Sequence, residues 1–222
     1  MKSLDWTGWM LRLAVLLIAT LGPTAFPLSQ MGYGSLHRLA LFMILPAAVA
    51  LAILWQILRN IRPEIASALA RGAAAGAIAT VALEAIRYPG FRLGLMPGNL
   101  PELMGVLLLD RFALGPSTAS SLAGFTYHFW NGACFGVIFA VLAMSSSRWW
   151  SVPYGIGIGV GFLMSPVVLA LGVGMFGKDF GWHFAATVLS AHTAFGIALG
   201  SLLTFFRSRR GGHLEFASDN QR

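Results

Sequence analysis

The chain has 222 residues, 57% of them hydrophobic and 10% charged, with a mean hydropathy of +0.73. Soluble domains carry about 25% charged residues, so this composition excludes an ordinary water-soluble domain and indicates a membrane protein. The formal charge of +7 does not point to nucleic acid, because the 15 basic residues are scattered at the ends of apolar runs, the pattern of orientation in a bilayer with anionic lipids.

Residues 1–12 mix Lys2 and Arg12 with Trp6 and Trp9, an interfacial combination, ahead of the apolar run from Leu13 to Leu21. We read a first span retained to near Leu28 and kinked or broken by Pro23 and Pro27. The alternative is a cleaved signal peptide, although no clean A-x-A site is present. Leu39 to Leu58 carries no charge, and at about 1.5 Å per residue it is long enough to cross a hydrocarbon layer of about 30 Å. A third span runs from about Ile65 to Arg87. It is rich in Ala and Gly and carries Arg71 near one end and Glu84 near the other, and its small residues let another backbone approach closely in lipid.

Residues 88–118 contain four prolines and end in a Gly-Pro-Ser turn, so they cannot form one straight span. Within them the sequence predicts a short helix over Leu100 to Leu114, capped by Asn99, with Pro101 and Glu102 in its first turn. It is too short to cross and is expected to lie in the interface or to re-enter the membrane. A fourth span is expected over Ser120 to Ala143, a fifth over Val152 to Met175 kinked at Pro166, and a sixth over Trp182 to Phe206. The chain thus divides into an N-terminal two-span segment (1–64), two hairpins (65–150 and 151–206) and a polar tail (207–222) expected to be disordered. Placing both termini in the cytoplasm collects ten Lys and Arg on that side against five on the other (Arg38, Arg87, Arg92, Arg111, Lys178).

The two hairpins share a pattern. His128, Gly132 and Gly136 recur as His192, Gly196 and Gly200, an H-x-x-x-G-x-x-x-G stripe on one helix face. The preceding spans match as Gly72, Gly76 and Thr80 against Gly157, Gly161 and Ser165, which predicts a parallel duplicated hairpin with an insertion in the first copy. The duplication is parallel, unlike the inverted repeats of many secondary transporters.

On this layout His128 and His192 reach the same depth below the outer face, with Glu84, Thr80, Tyr127, Asn131 and His183 close in depth. An ionised side chain within a span costs about 2.5–3.5 kcal/mol, so Glu84 needs a partner or water. Four readings follow. A polar outer vestibule passes protons or a small solute, using the titration of His near neutral pH. Two His and one Glu hold a transition metal, or the two His ligate a haem. In a third, the polar groups are structural, each histidine bonding a carbonyl or the Glu84 carboxylate and Glu84 pairing with Arg87. Finally, the chain is a non-catalytic subunit or assembly factor of a larger membrane complex, or a homo-oligomer, presenting the 100–114 helix and broken first segment to a partner.

Enzyme chemistry has little behind it. Ser145, Ser146 and Ser147 have no paired base, no G-x-S-x-G elbow exists, and the glycine-rich 155–161 stretch lies in a span instead of a phosphate-binding loop. The single cysteine, Cys134, can form no internal disulfide and reads as a packing residue.

GAAAGAIAT followed by a proline-bearing loop, YHFWNGACFGVIFAVL, and later GIGIGVGFLMSPVV with HTAFGIALG resemble YagU-like bacterial inner-membrane proteins over about residues 68–206. The resemblance implies a bacterial inner-membrane location and carries no catalytic residues with it.

Overall fold

The computed structural model describes residues 5–144 and 147–219, with side chains to Ser208. Lys2, Ser145 and Ser146 of the sequence reading lie outside the described residues. The fold is all-α, and among the described residues six helical segments are long and apolar enough to cross a membrane. The protein is a multi-pass membrane protein.

The first span, α1 (Trp6–Gln30), starts at Asp5, whose carboxylate accepts from the Gly8 N–H at 3.0 Å. The same carboxylate pairs with Arg62 at 2.8 Å, tying the start of α1 to the link before the third span. Both prolines sit inside α1 without ending it. Beside them the Tyr127 hydroxyl donates to the Gly22 carbonyl at 2.8 Å, tying this part of α1 to the rest of the bundle. The second span, α2 (Leu36–Ile61), contains a π-helical stretch at Ala40–Ile44 just before Pro46. A proline cannot donate to the carbonyl four residues back, and a widened turn accommodates the mismatch.

The third span, α3 (Pro63–Arg92), continues one turn beyond the expected end at Arg87, through Pro89. Gly90 explains the extension: a Cβ there would sit 2.6 Å from Thr187 Cγ2, so packing on the last span holds the final turn against local preference. The insertion forms α4 (Leu100–Leu108), shorter than the expected 100–114 helix. It ends before Asp110, at φ +52, and a separate 3-10 turn follows at Phe112–Leu114. Asn99 occupies the position before α4, yet its side chain makes no capping bond.

The fourth span, α5 (Thr118–Leu142), begins with a reciprocal capping box between Ser117 and Ser120. The fifth, Arg148–Ala170, is broken instead of kinked. Its main helix α6 (Ser151–Leu163) stops at Met164 and Ser165, and a short helix α7 (Pro166–Ala170) resumes. The expected continuation to Met175 fails because Gly172, Gly174 and Phe176 adopt positive φ. The sixth helix, α8 (Trp182–Asp219), runs past residue 207 as helical backbone where a disordered tail is expected. Once started, a helix propagates at little cost per residue.

α3 is the centre of the bundle, packed on α5 to one side and on α8 to the other, with α6 beyond α8. Glycines set the closest approaches. A Cβ on Gly72 would meet the backbone of Gly136 and Val137, and one on Gly76 that of Gly132 and Gly136. In the second hairpin Gly155 meets the backbone of His192 and Gly196, and Gly159 meets the His192 ring. Gly157 and Gly161, the expected counterparts of Gly72 and Gly76, have nothing within 4 Å of a Cβ. They lie on the opposite side of α6.

Candidate functional site

Glu84 and Arg87 are one turn apart on α3. The Arg87 Nε–H and Nη2–H donate to the two carboxylate oxygens at 2.6 and 2.7 Å. This is a bidentate pair, and it is almost wholly removed from solvent, with Arg87 4% exposed. Across the α3–α5 contact the His128 Nε2 lies 2.8 Å from Glu84 Oε1.

His192 does not join this trio. Its Nδ1 lies 2.8 Å from the Val188 carbonyl one turn back on α8, and its ring stacks on Phe162 at 6.3 Å with 20° between planes. A carbonyl accepts only, so Nδ1 is the donor and Nε2 is the atom left over. The two histidines nevertheless stand at matching positions along their helices. Thr118 to His128 and Trp182 to His192 are each ten residues into their helices, about 15 Å at 1.5 Å per residue.

Both histidines border one cavity of about 350 Å³ enclosed by α1, α3, α5, α6 and α8. Its wall is mostly apolar, with Phe135, Phe162 and Phe195 prominent and Met96, Leu100 and Met104 towards the inserted helix. Among the expected site residues, Thr80, His128, Asn131 and His192 line it, while Glu84 stands behind Arg87 and His128. Thr80 donates its hydroxyl proton to the Gly76 carbonyl at 2.9 Å. Tyr127 does not line the cavity; it is buried against α1 through its bond to Gly22. His183 sits in the first turn of α8 against Phe180 and Trp182.

Two lining groups carry more weight than the sequence assigns them. Arg87 reads from sequence as an outer-face charge, yet it is buried, and its Nη1 has no protein partner among the described residues. Ser165 stands at the break between α6 and α7 with its Oγ also unpartnered. The Asn131 Oδ1 is likewise unpartnered and buried. The i, i+3 spacing of Glu84 and Arg87 on an apolar helix, and a serine preceding a proline in mid-span, are the signals that could have found the first two.

The metal reading loses support from this geometry. Among the described residues no group of three or more His, Cys, Asp or Glu side chains is placed to hold a metal ion. The pairing of Glu84 with Arg87, and of each histidine with a carbonyl or that carboxylate, follows the structural reading of these residues.

Fold and site together define a class: a polytopic α-helical membrane protein with a predominantly apolar cavity between its spans and a few polar groups converging on it. No family model matches the chain, and neither a curated protein nor a solved structure gives a significant match.

Proposed function

We propose that the protein is a transporter-like binder of a small solute, which it takes up in the cavity between α1, α3, α5, α6 and α8. The observation that carries this reading is the cavity itself, about 350 Å³ of mostly apolar space on whose wall Thr80, Arg87, His128, Asn131, Ser165 and His192 come together. An apolar cavity with a few convergent polar groups is the usual form of a small-molecule site.

A continuous proton path has less behind it. Beyond Phe135 and Phe195 the bundle is filled by Ala75, Ala79, Phe139, Ala140, Leu199 and Leu203. The accessory-subunit reading has no observation of its own, since apolar outer faces are what lipid requires.

The same proposal places the inserted helix at the periplasmic face of a bacterial inner membrane, as the charge asymmetry and the likeness to YagU-like proteins suggest. It also retains the parallel duplication. The two hairpins correspond when Thr80 is set against Gly155 and Glu84 against Gly159, because Gly159 meets His192 where Glu84 meets His128.

The test uses Gly161→Trp. Gly161 borders the cavity with open space beyond its Cβ position, so an indole there is expected to obstruct the cavity without moving backbone. Native mass spectrometry of protein released from its membranes is expected to show a bound small molecule on the parent protein and on Gly157→Trp, one turn away and outside the cavity lining, and none on Gly161→Trp. Identical spectra for all three would overturn the reading.

A further inference from the structure

His192 brings an unused nitrogen to the cavity wall. Its Nδ1 donates to the Val188 carbonyl at 2.8 Å, and a neutral imidazole holds one N–H, so Nε2 keeps its lone pair. A second proton would set an unpaired charge in a mostly apolar wall. Among the described residues no carboxylate pairs with this ring, and Glu84, the acidic residue beside the cavity, is taken up by Arg87 and His128. The half-buried ring lines the cavity, yet Nε2 accepts from no described residue.

The ring is also held in place. Its Nδ1 is bonded, its face stacks on Phe162, and a Cβ on Gly159 would stand 3.1 to 3.4 Å from its Cβ, Cγ and Nδ1. These contacts engage the face and the Nδ1 edge, which leaves the Nε2 edge free. An acceptor fixed before binding loses little side-chain freedom when it is used.

Other polar atoms around the cavity do not compete for an occupant. Arg87 Nη1, Asn131 Oδ1, Ser165 Oγ and His128 Nε2 are buried within the walls. A trapped water needs roughly two to four polar partners, whereas an otherwise apolar molecule with a single donor needs one. The lone pair repels an anion, and a molecule with acceptors alone gains nothing from it.

We infer that His192 Nε2 is the polar anchor of the cavity, and that the solute is an apolar molecule presenting an N–H or O–H donor to it. This rests on the binding reading above and adds the recognising atom and the donor chemistry. It also accounts for the difference between the two histidines. Glu84 occupies His128, whereas the residue of α6 beside His192 is Gly159, which has no side chain to do the same.

The experiment reconstitutes the full-length protein in lipid vesicles with an alkyl diazirine probe, whose crosslinks are mapped to the peptide carrying residues 188–195. Two pairs of isomers compete with it: skatole against N-methylindole, and para-pentylphenol against para-butylanisole. The first member of each pair carries an N–H or O–H, and the second has none. After correction for partition into the lipid, the donor member is expected to displace the probe at about threefold to tenfold lower concentration, the effect of one net hydrogen bond. His192→Phe, which keeps a ring for Phe162 and loses the acceptor, should abolish the difference. His192→Gln, whose Oε1 can stand in for Nε2, should keep part of it, and labelling by the probe reports that each variant retains its cavity. Equal displacement by both members of each pair in the parent, or a difference that survives in His192→Phe, would overturn the anchor while leaving the cavity a binding site. Labelling no greater in the parent than in Gly161→Trp would overturn the binding reading itself.

Discussion

Glu84 and Arg87 show what an ion pair must do when lipid surrounds the helix that carries it. Each is stabilised by the other, but Glu84 also has His128 beside it, so it is removal of Glu84 that leaves a charge, Arg87, buried without compensation, which costs about 3–5 kcal/mol. Glu84→Gln is therefore expected to lower stability in detergent by that order, while the double variant Glu84→Gln with Arg87→Met recovers most of the loss, read by thermal or denaturant unfolding. A double variant as unstable as the single one would mean that the loss does not come from the uncompensated arginine. The need of Glu84 for a partner was legible in the sequence, and so was the choice of Arg87 one turn away. The direction of the unpaired Nη1 was not, because it depends on which helices close around α3. His128 and His192 illustrate the same limit: their depth follows from counting residues, but their partners, Glu84 in one case and a carbonyl of its own helix in the other, follow from packing.

At the scale of the element, a spacing of four glycines in sequence fixes a stripe but not the direction it faces. Gly155, Gly157, Gly159 and Gly161 contain two such stripes, and a shift of two residues turns a helix by about 200°. Tertiary contact selects Gly155 and Gly159 for packing and leaves Gly157 and Gly161 in open space. Gly76→Ala and Gly155→Ala, which drive a methyl into backbone, should each cost about 1–3 kcal/mol. Gly157→Ala should gain up to about 1 kcal/mol from the lower backbone entropy of alanine. Melting temperatures of the three variants separate the faces, and a loss at Gly157 as large as at Gly155 would contradict the assignment. The start of α1 gives a second expectation. Asp5 has its carboxyl held below the ordinary value of 3.8 by the Gly8 N–H and then by Arg62. Its contribution is thus complete above about pH 4 and is lost as pH falls through the lowered value. Asp5→Asn should lower the melting temperature slightly at neutral pH and flatten its acid-side fall, and the exposed pair with Arg62 should weaken with salt.

For the whole molecule, the cavity exists because α1 is part of the bundle. Pro23, Thr24, Phe26 and Pro27 supply one wall, and the helix that bears them has few buried positions compared with α3 or α5. What fixes it at this level is local: the Tyr127 hydroxyl on the Gly22 carbonyl, and close packing of Gly22 itself, where a Cβ would lie 2.8 Å from Trp130 Nε1 and 3.1 Å from Cys134 Sγ. The six-span layout could be read from hydropathy alone, but this attachment could not, because it joins residues 105 positions apart. Tyr127→Phe removes the hydrogen bond at a cost of about 1 kcal/mol without changing the shape of the ring. If that bond holds α1 over the cavity, the variant should loosen α1 and uncover Cys134, which is buried and is the only cysteine in the chain. Alkylation of Cys134 by a membrane-permeant maleimide, followed by intact mass, should then be several-fold faster than in the parent protein. Gly22→Leu, which forces a side chain into the same contact, should accelerate it further. An unchanged rate in Tyr127→Phe together with an accelerated one in Gly22→Leu would assign the attachment to the close approach of α1 and α5 alone.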